Sequence, residues 1–323
     1  MQEENQTPLG KKETTRTYLR QSITRAVRLV ESRLEDPPSV DEMAKTAGVS
    51  RSHFQRTFRE VVGESTKAFT MRVRIERAAS LLRYSTWRIN DIAISCGYHN
   101  QANFGRDFAK IYGASPRNFR SREASLPFLR GYIKGSDQSA NDDDLSDNPP
   151  LSVLVETWPE LSGIALRTHG SISQAIGCWN ELLEWAKTQP TLSDFEKLNF
   201  LGCWYDTWDG INEDTYRYDA VIVPSTPFQG EIPAPFLPIT IPAGKVASLH
   251  AKGSINKIES IWKAFGEGWL PLSGLQPRGD IAGIDKYPAE LANSTQITKL
   301  LKFATRIEQT LIIPVQEGPI VLP

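Results

Sequence analysis

Cysteine, methionine and histidine are scarce in this chain: three, three and four residues among 323. Cys96, Cys178 and Cys203 form no C-x-x-C pair and share no ligand spacing with the histidines. That pattern argues against a structural metal site and against a disulfide framework. No apolar run reaches membrane-spanning length and the amino terminus is polar. Neither a membrane span nor a secretory signal is therefore expected, and the expected compartment is the cytoplasm. Net charge is nearly missing as well, at −1. This balance averages two opposed parts. Residues 16–122 hold 20 Lys+Arg against 10 Asp+Glu, a formal +10, which leaves −11 for the remainder. A basic part joined to an acidic one is the distribution expected when only the first meets nucleic acid.

What the chain does have is one motif written twice. Met43-Ala44-Lys45-Thr46-Ala47-Gly48 leads to Phe54-Gln55-Arg56-Thr57-Phe58, and Ile92-Ala93-Ile94-Ser95-Cys96-Gly97 leads to Phe104-Gly105-Arg106-Asp107-Phe108. Each copy reads as helix, Gly-bearing turn, helix, the arrangement that places a second helix in a DNA major groove. Arg can bond guanine bidentately and Gln or Asn can bond adenine. On the first recognition helix Ser52, Gln55 and Arg56 share one face, with Phe54 and Phe58 turned inward. On the second the matching set is Gln101, Ala102, Asn103 and Arg106, with Phe104 and Phe108 inward. Arg51 and His53 are better placed for phosphates. A solvated helix face is the alternative for any lone Arg, but two Arg in the same slot of a repeat favour DNA contact.

Around the motifs, residues 1–15 are expected to be a disordered tail, with a helix from about Tyr18 to Leu34 ended by Pro37-Pro38. Ser39-x-x-Glu42 predicts a capping box, and a long helix from Thr66 to about Arg83 separates the two copies. Residues 123–150, with Asn141-Asp142-Asp143-Asp144 and Asn148-Pro149-Pro150, read as a flexible acidic linker. Residues 151–323 hold a weaker repeat. Gly170-Ser171-Ile172 precedes Trp179 and Gly253-Ser254-Ile255 precedes Trp262, each after a strand-like run, before an amphipathic helix, and ahead of another strand. This predicts an α+β domain with a pseudo-twofold strand–helix–strand repeat.

Residues 18–122 resemble the AraC/XylS family of transcriptional regulators. The second motif and Ser115-Pro116-x-x-Phe119-Arg120 carry the resemblance most strongly. It implies an all-α domain of seven helices in which one long helix holds two helix-turn-helix units, with recognition helices in successive major grooves. It also implies base contacts at Ser52, Gln55, Arg56, Gln101, Ala102, Asn103 and Arg106. Residues 151–323 are similar to the GyrI-like effector-binding domain, through the Gly-to-Trp repeat, Trp269-Leu270-Pro271-Leu272-Ser273-Gly274 and Arg217-Tyr218-Asp219. That order of domains is the Rob-like architecture. The resemblance implies a cleft for small, often cationic, amphipathic molecules. Such a ligand needs aromatic walls and a carboxylate. The candidates are Trp179, Trp204, Tyr205, Trp208, Trp262, Trp269 and Tyr287, with Asp285 for the charge. Core packing on a sheet is the alternative for the tryptophans.

The expectation is a multidomain, ligand-responsive, sequence-specific transcriptional regulator, in the activating mode commoner for this resemblance. Its partners would be an asymmetric double-stranded DNA site, RNA polymerase and a small effector, with no membrane, no metal and no cofactor, in the nucleoid-associated cytoplasm. The alternatives are an architectural DNA binder of low sequence preference, and a gyrase-inhibitor-like or hydrolytic activity of the second domain. His169 and His250 flank the repeat glycines, but neither has an evident nucleophile and orienting acid, so no catalytic residue is expected.

Overall fold

A computed structural model describes residues 8–85, 87–123, 151–170, 172–206, 216–289 and 307–317. The first part holds seven helices among the described residues: α1 (Pro8–Ser32), α2 (Val40–Ala47), α3 (Arg51–Val62), α4 (Thr66–Tyr84), α5 (Ile89–Ser95), α6 (Gln101–Tyr112) and α7 (Pro116–Glu123). One boundary corrects the sequence reading: α1 begins at Pro8, so residues 8–15 are helical rather than tail. Proline suits a first helical turn, where its missing N–H has no partner to lose. The apolar stripe that revealed the helix starts only further along. The acidic linker, apart from Glu123, lies outside the described residues.

Local chemistry fixes the helix starts. The Ser39 hydroxyl accepts from the Glu42 N–H while the Glu42 carboxylate accepts from the Ser39 N–H, the capping box expected from sequence. Ser50, Ser65 and Asn100 cap α3, α4 and α6 from one side only, each side-chain oxygen accepting from backbone N–H. Two cores form. Phe54, Phe58 and Phe69 bury against Ile23, Val27 and Val30 of α1. Phe104 and Phe108 bury against Ile75, Leu82 and Trp87. Helix α4 supplies Phe69 and Val73 to the first core and Ile75 and Leu82 to the second, so it is the rod on which both units are mounted. Gly97 shows why the second turn requires glycine. Its φ is +77°, and a Cβ there would lie 2.6 Å from the Leu34 carbonyl oxygen.

The second part is an antiparallel sheet with two α-helices among the described residues. Its elements are β1 (Val153–Trp158), β2 (Leu161–Gly170), α8 (Ile172–Lys187), β3 (Leu198–Trp204), β4 (Tyr216–Pro224), β5 (Leu237–Ile241), β6 (Gly244–Gly253), α9 (Ile255–Lys263), β7 (Leu275–Pro277), β8 (Gly283–Tyr287) and β9 (Ile307–Glu317). The strand order is β1-β6-β9-β8-β3-β4-β2-β5, with β7 on β9. It reads alike from either edge: β2-β4-β3 balances β6-β9-β8, while β1 crosses over to pair with β6 and β5 with β2. Gly170 ends β2 and Ile172 begins α8, while Gly253 ends β6 and Ile255 begins α9. Helix α8 packs Trp179 and Leu182 onto Phe200, Tyr218 and Tyr287. Helix α9 packs Ile258 and Trp262 onto Ala247, Leu311 and Ile313.

Candidate nucleic-acid interface and interdomain cavity

Helices α3 and α6 turn their phenylalanines fully inward, and this decides what faces out. Phe54, Phe58, Phe104 and Phe108 are buried, whereas Arg51, Ser52, Gln55, Arg56, Gln101, Ala102, Asn103 and Arg106 are exposed and His53 is half-buried. The sequence-predicted base-reading sets therefore form two exposed faces on helices carried by one rod. Arg51 is already engaged: its Nη1 donates to Asp41 at 2.8 Å across the α2–α3 turn. Sequence reading gave Arg120 no role beyond the family signature. In the fold it donates to the carbonyls of Leu82 at 3.2 Å and Trp87 at 2.7 Å, closing α7 onto the end of α4.

What sequence reading missed entirely is the joint between the two parts. Helices α1 and α4 dock on the β2–β4 face through a buried ion network. Arg217 of β4 donates to Glu31 of α1 at 3.0 Å, to Glu76 of α4 at 3.1 Å and to Asp206 at 2.8 Å. Arg167 of β2 donates to Glu31 at 3.0 Å and to Asp219 at 2.9 Å. Arg28 of α1 reaches Asp219 at 3.4 Å and the Pro238 carbonyl at 2.9 Å. Gln21 donates to the Phe236 carbonyl at 2.7 Å, and Arg72 of α4 donates to Glu76 at 2.7 Å. Paired and hydrogen-bonded charges are the form in which burial of ions is tolerable. Burial alone would raise Asp219, but Arg167 and Arg28 hold its carboxyl well below the usual range. Burial likewise opposes ionisation of Asp206, yet Arg217 and Arg72 bring it down to about 2. Glu76 moves the other way: burial, then the neighbouring Asp206 charge, push it up to about 8.

Beside this joint lies a cavity of about 990 Å³. Glu31, Glu76 and Ser80 face it from α1 and α4, while Trp204, Trp262 and Arg217 face it from the sheet domain. Asp285 is not on its wall. The residue is 4% exposed. It sits behind the two indoles, accepting from Trp204 Nε1 at 2.7 Å, Trp262 Nε1 at 3.0 Å and Gln309 Nε2 at 2.9 Å, with the Tyr287 hydroxyl at 3.4 Å. Burial pushes Asp285 up to about 6, against the opposing effect of those donors. Gly283 on the cavity wall gives the Trp262 ring room, since a Cβ there would meet the indole at 2.8 Å.

The predicted effector residues thus separate. Trp204, Tyr205 and Trp262 line the cavity. Tyr205 also belongs to the joint, its hydroxyl donating to Asp219 at 2.7 Å and its ring lying under the Arg167 guanidinium. Trp179 is core, fully buried and bonded to the Tyr218 hydroxyl at 2.7 Å. Tyr287 is buried behind the wall, and Trp269 packs on Phe265. Trp208 lies outside the described residues. Among the described residues no helix is long and apolar enough to cross a membrane, and no group of His, Cys, Asp or Glu could hold a metal ion.

Comparison with known proteins matches the same two parts. Residues 43–122 match a helix-turn-helix domain family, and residues 152–282 match the GyrI-like small molecule binding domain family. A putative HTH-type transcriptional regulator, YkgA of Escherichia coli, is 33% identical over 34% of this chain and 46% of its own length. The transcriptional regulator Rob of Salmonella typhimurium is 28% identical over 50% of this chain and 56% of its own. The chain thus spans about half the length of these two curated relatives. A solved AraC-type transcriptional regulator from Chromobacterium violaceum is 30% identical, with 32% of this chain and 93% of that one covered and a TM-score of 0.31.

Proposed function

We infer, from a chain that carries an AraC-type helix-turn-helix DNA-binding domain joined to a GyrI-like small-molecule-binding domain, that this protein is a sequence-specific transcriptional regulator whose DNA reading responds to a small effector. One observation carries the reading. The two recognition faces and the cavity share a single helix: α4 holds both helix-turn-helix cores and also walls the cavity. The base-reading residues proposed are Ser52, Gln55, Arg56, Gln101, Ala102, Asn103 and Arg106. Because Arg56 follows Gln55 whereas Arg106 follows Gly105, the two helices read different half-sites and the target is asymmetric. A cytoplasmic, nucleoid-associated activator that contacts RNA polymerase completes the proposal.

Selection from randomised duplexes at fixed salt tests it. The regulator reading expects one site of about two helical turns, preferred over random DNA by ~10³-fold or more. Equal binding to all duplexes would support an architectural role instead. A hydrolytic role finds no support in the buried groups of the second domain. Burial pushes the Cys178 thiol up to about 12, so no thiolate nucleophile is available there. His169 is brought down to about 3 by burial and the nearby Arg167 and is neutral, and its buried Nε2 has no hydrogen-bond partner among the described residues.

A further inference from the structure

We propose that β1 is a dimerisation strand: its free edge pairs antiparallel with β1 of a second copy of this chain, about a twofold axis at Leu154. The contact stands apart from the DNA and small-molecule readings, and its test uses neither DNA nor a ligand. The two edges of the sheet differ. The β5 edge is closed. Pro238 offers no N–H there, Arg28 of α1 donates to the Pro238 carbonyl at 2.9 Å, and Gln21 donates to the Phe236 carbonyl just before the strand. At the other edge, Val153-Leu154-Val155-Glu156-Thr157-Trp158 contains no proline, lysine or arginine. Among the described residues no strand pairs with its outer side. Leu154 and Val155 are 60% and 42% exposed. An apolar, unguarded edge is a template for another strand.

Backbone geometry sets the register, and the register selects a second copy. The Leu154 carbonyl oxygen lies 3.5 Å from the hydroxyl of Ser248, the residue directly across, so this carbonyl is turned toward β6. Alternation then turns the N–H and C=O groups of Val153, Val155 and Thr157 outward. With a twofold axis at Leu154, Val153 of one copy exchanges hydrogen bonds with Val155 of the other. Leu154 faces Leu154 in the non-hydrogen-bonded position, where side chains come closest. Both faces of the strand agree with this register. On the helix face Val153 packs at the rim of the α9 core, and Val155 of the second copy extends that core. On the opposite face Glu156, which accepts from Trp158 Nε1 at 3.1 Å, comes opposite the uncharged Ser152 of the second copy. Behind Ser152 on that face stand His250 and Lys252 of β6, which share the single carboxylate of Glu308. The one acid of each strand is thus directed at two basic side chains of the other copy, whereas an axis at Glu156 would set like charges against each other. A six-residue strand pair is a small interface, under ~1,200 Å², so the dimer is weak and depends on concentration.

Sedimentation velocity of the full chain from about 1 to 200 µM tests it. The unaltered chain is expected to pass from monomer to dimer over this range. Leu154→Lys and Leu154→Glu each place like charges on the axis, and each is expected to weaken dimerisation about tenfold or more. Mixing the two variants is expected to restore it. Val155→Pro removes an outward N–H while sparing the ladder to β6, and is expected to weaken the dimer as much. If these variants fail to fold, amide hydrogen exchange on the unaltered chain decides: residues 153–157 should slow between the lowest and the highest concentration. A chain that stays monomeric throughout overturns the proposal. So does exchange over 153–157 that is already slow in the monomer, the mark of an edge covered by the chain's own residues. A dimer that forms without slowing that exchange, or that survives all three substitutions, uses another surface and overturns it too. A mixture of the Lys and Glu variants that stays monomeric overturns the axis at Leu154, and the proposal with it.

Discussion

The Arg217 guanidinium on β4 donates to the Glu31 carboxylate on α1 at 3.0 Å, across 186 residues of sequence. A strand of the sheet domain is thereby bonded to the first helix of the helical domain. The same guanidinium also reaches Glu76 on α4. Inter-domain contacts within a chain are commonly small and mobile. This one is a buried, hydrogen-bonded charge cluster, which fixes the docking geometry.

The cluster predicts unequal effects from two isosteric changes. Asp206→Asn removes the charge that partners Arg217 and Arg72, and breaking such a buried pair costs ~3–5 kcal/mol. Glu76→Gln keeps the shape and an acceptor at a site already displaced toward the neutral form, so its cost at neutral pH is within ~1 kcal/mol. Denaturant unfolding of the full chain measures both. Equal losses would mean that Glu76 is ionised in the folded protein.

Asp285 gives a pH dependence of definite sign. Its folded pKa of about 6 lies above the ordinary 3.8, so the folded state binds the extra proton between those values. Stability therefore falls as pH rises through this window, by on the order of 2–3 kcal/mol. Tryptophan fluorescence should titrate with a midpoint near 6, because Trp204 and Trp262 both bond this carboxylate. Asp285→Asn should abolish that midpoint. A midpoint that survives the substitution would assign it to another group.

On DNA, Arg56→Ala and Arg106→Ala should each cost ~1–3 kcal/mol at the selected site and relax base choice at different positions within it. Gel-shift titrations against a set of single-base variants read both quantities. Loss of affinity without loss of discrimination would make the residue a phosphate contact.

Gly97→Ala should destabilise the second helix-turn-helix unit by ~1–3 kcal/mol, since a positive φ and the Leu34 carbonyl leave no room for a methyl group. Thermal melting followed by circular dichroism checks this. Gly105→Ala is the control, because a Cβ there meets nothing within 4 Å. Similar melting shifts for the two variants would refute the steric account.

The doubled motif was legible because helix-turn-helix structure is written locally. Ser39, Ser50 and Asn100 cap within three residues, and each Phe-x-Arg-x-Phe buries its rings and exposes its Arg by helical spacing alone. The sheet domain was legible as alternating strand and helix for the same reason. Its exchange of β1 and β5 between the two halves was not, because strand pairing joins distant segments. Trp179 and Trp262 occupy matching places in the sequence and each packs in a core, yet only Trp262 also borders the cavity. Sequence reading offers Asp285 as the carboxylate that meets a ligand's charge, whereas its confinement behind two indoles depends on β3, β8, β9 and α9 meeting.

The sequence by itself determined the two exposed helix faces of α3 and α6, the basic and acidic halves and the order of elements, all of which follow from spacing and composition. Only the tertiary structure decided that α1 and α4 close over the sheet, that Arg217 holds them there, and that the cavity opens between the domains. The physical reason is range. Periodicity records which face of an element is apolar, whereas an ion pair formed across 186 residues leaves no local trace of its partner.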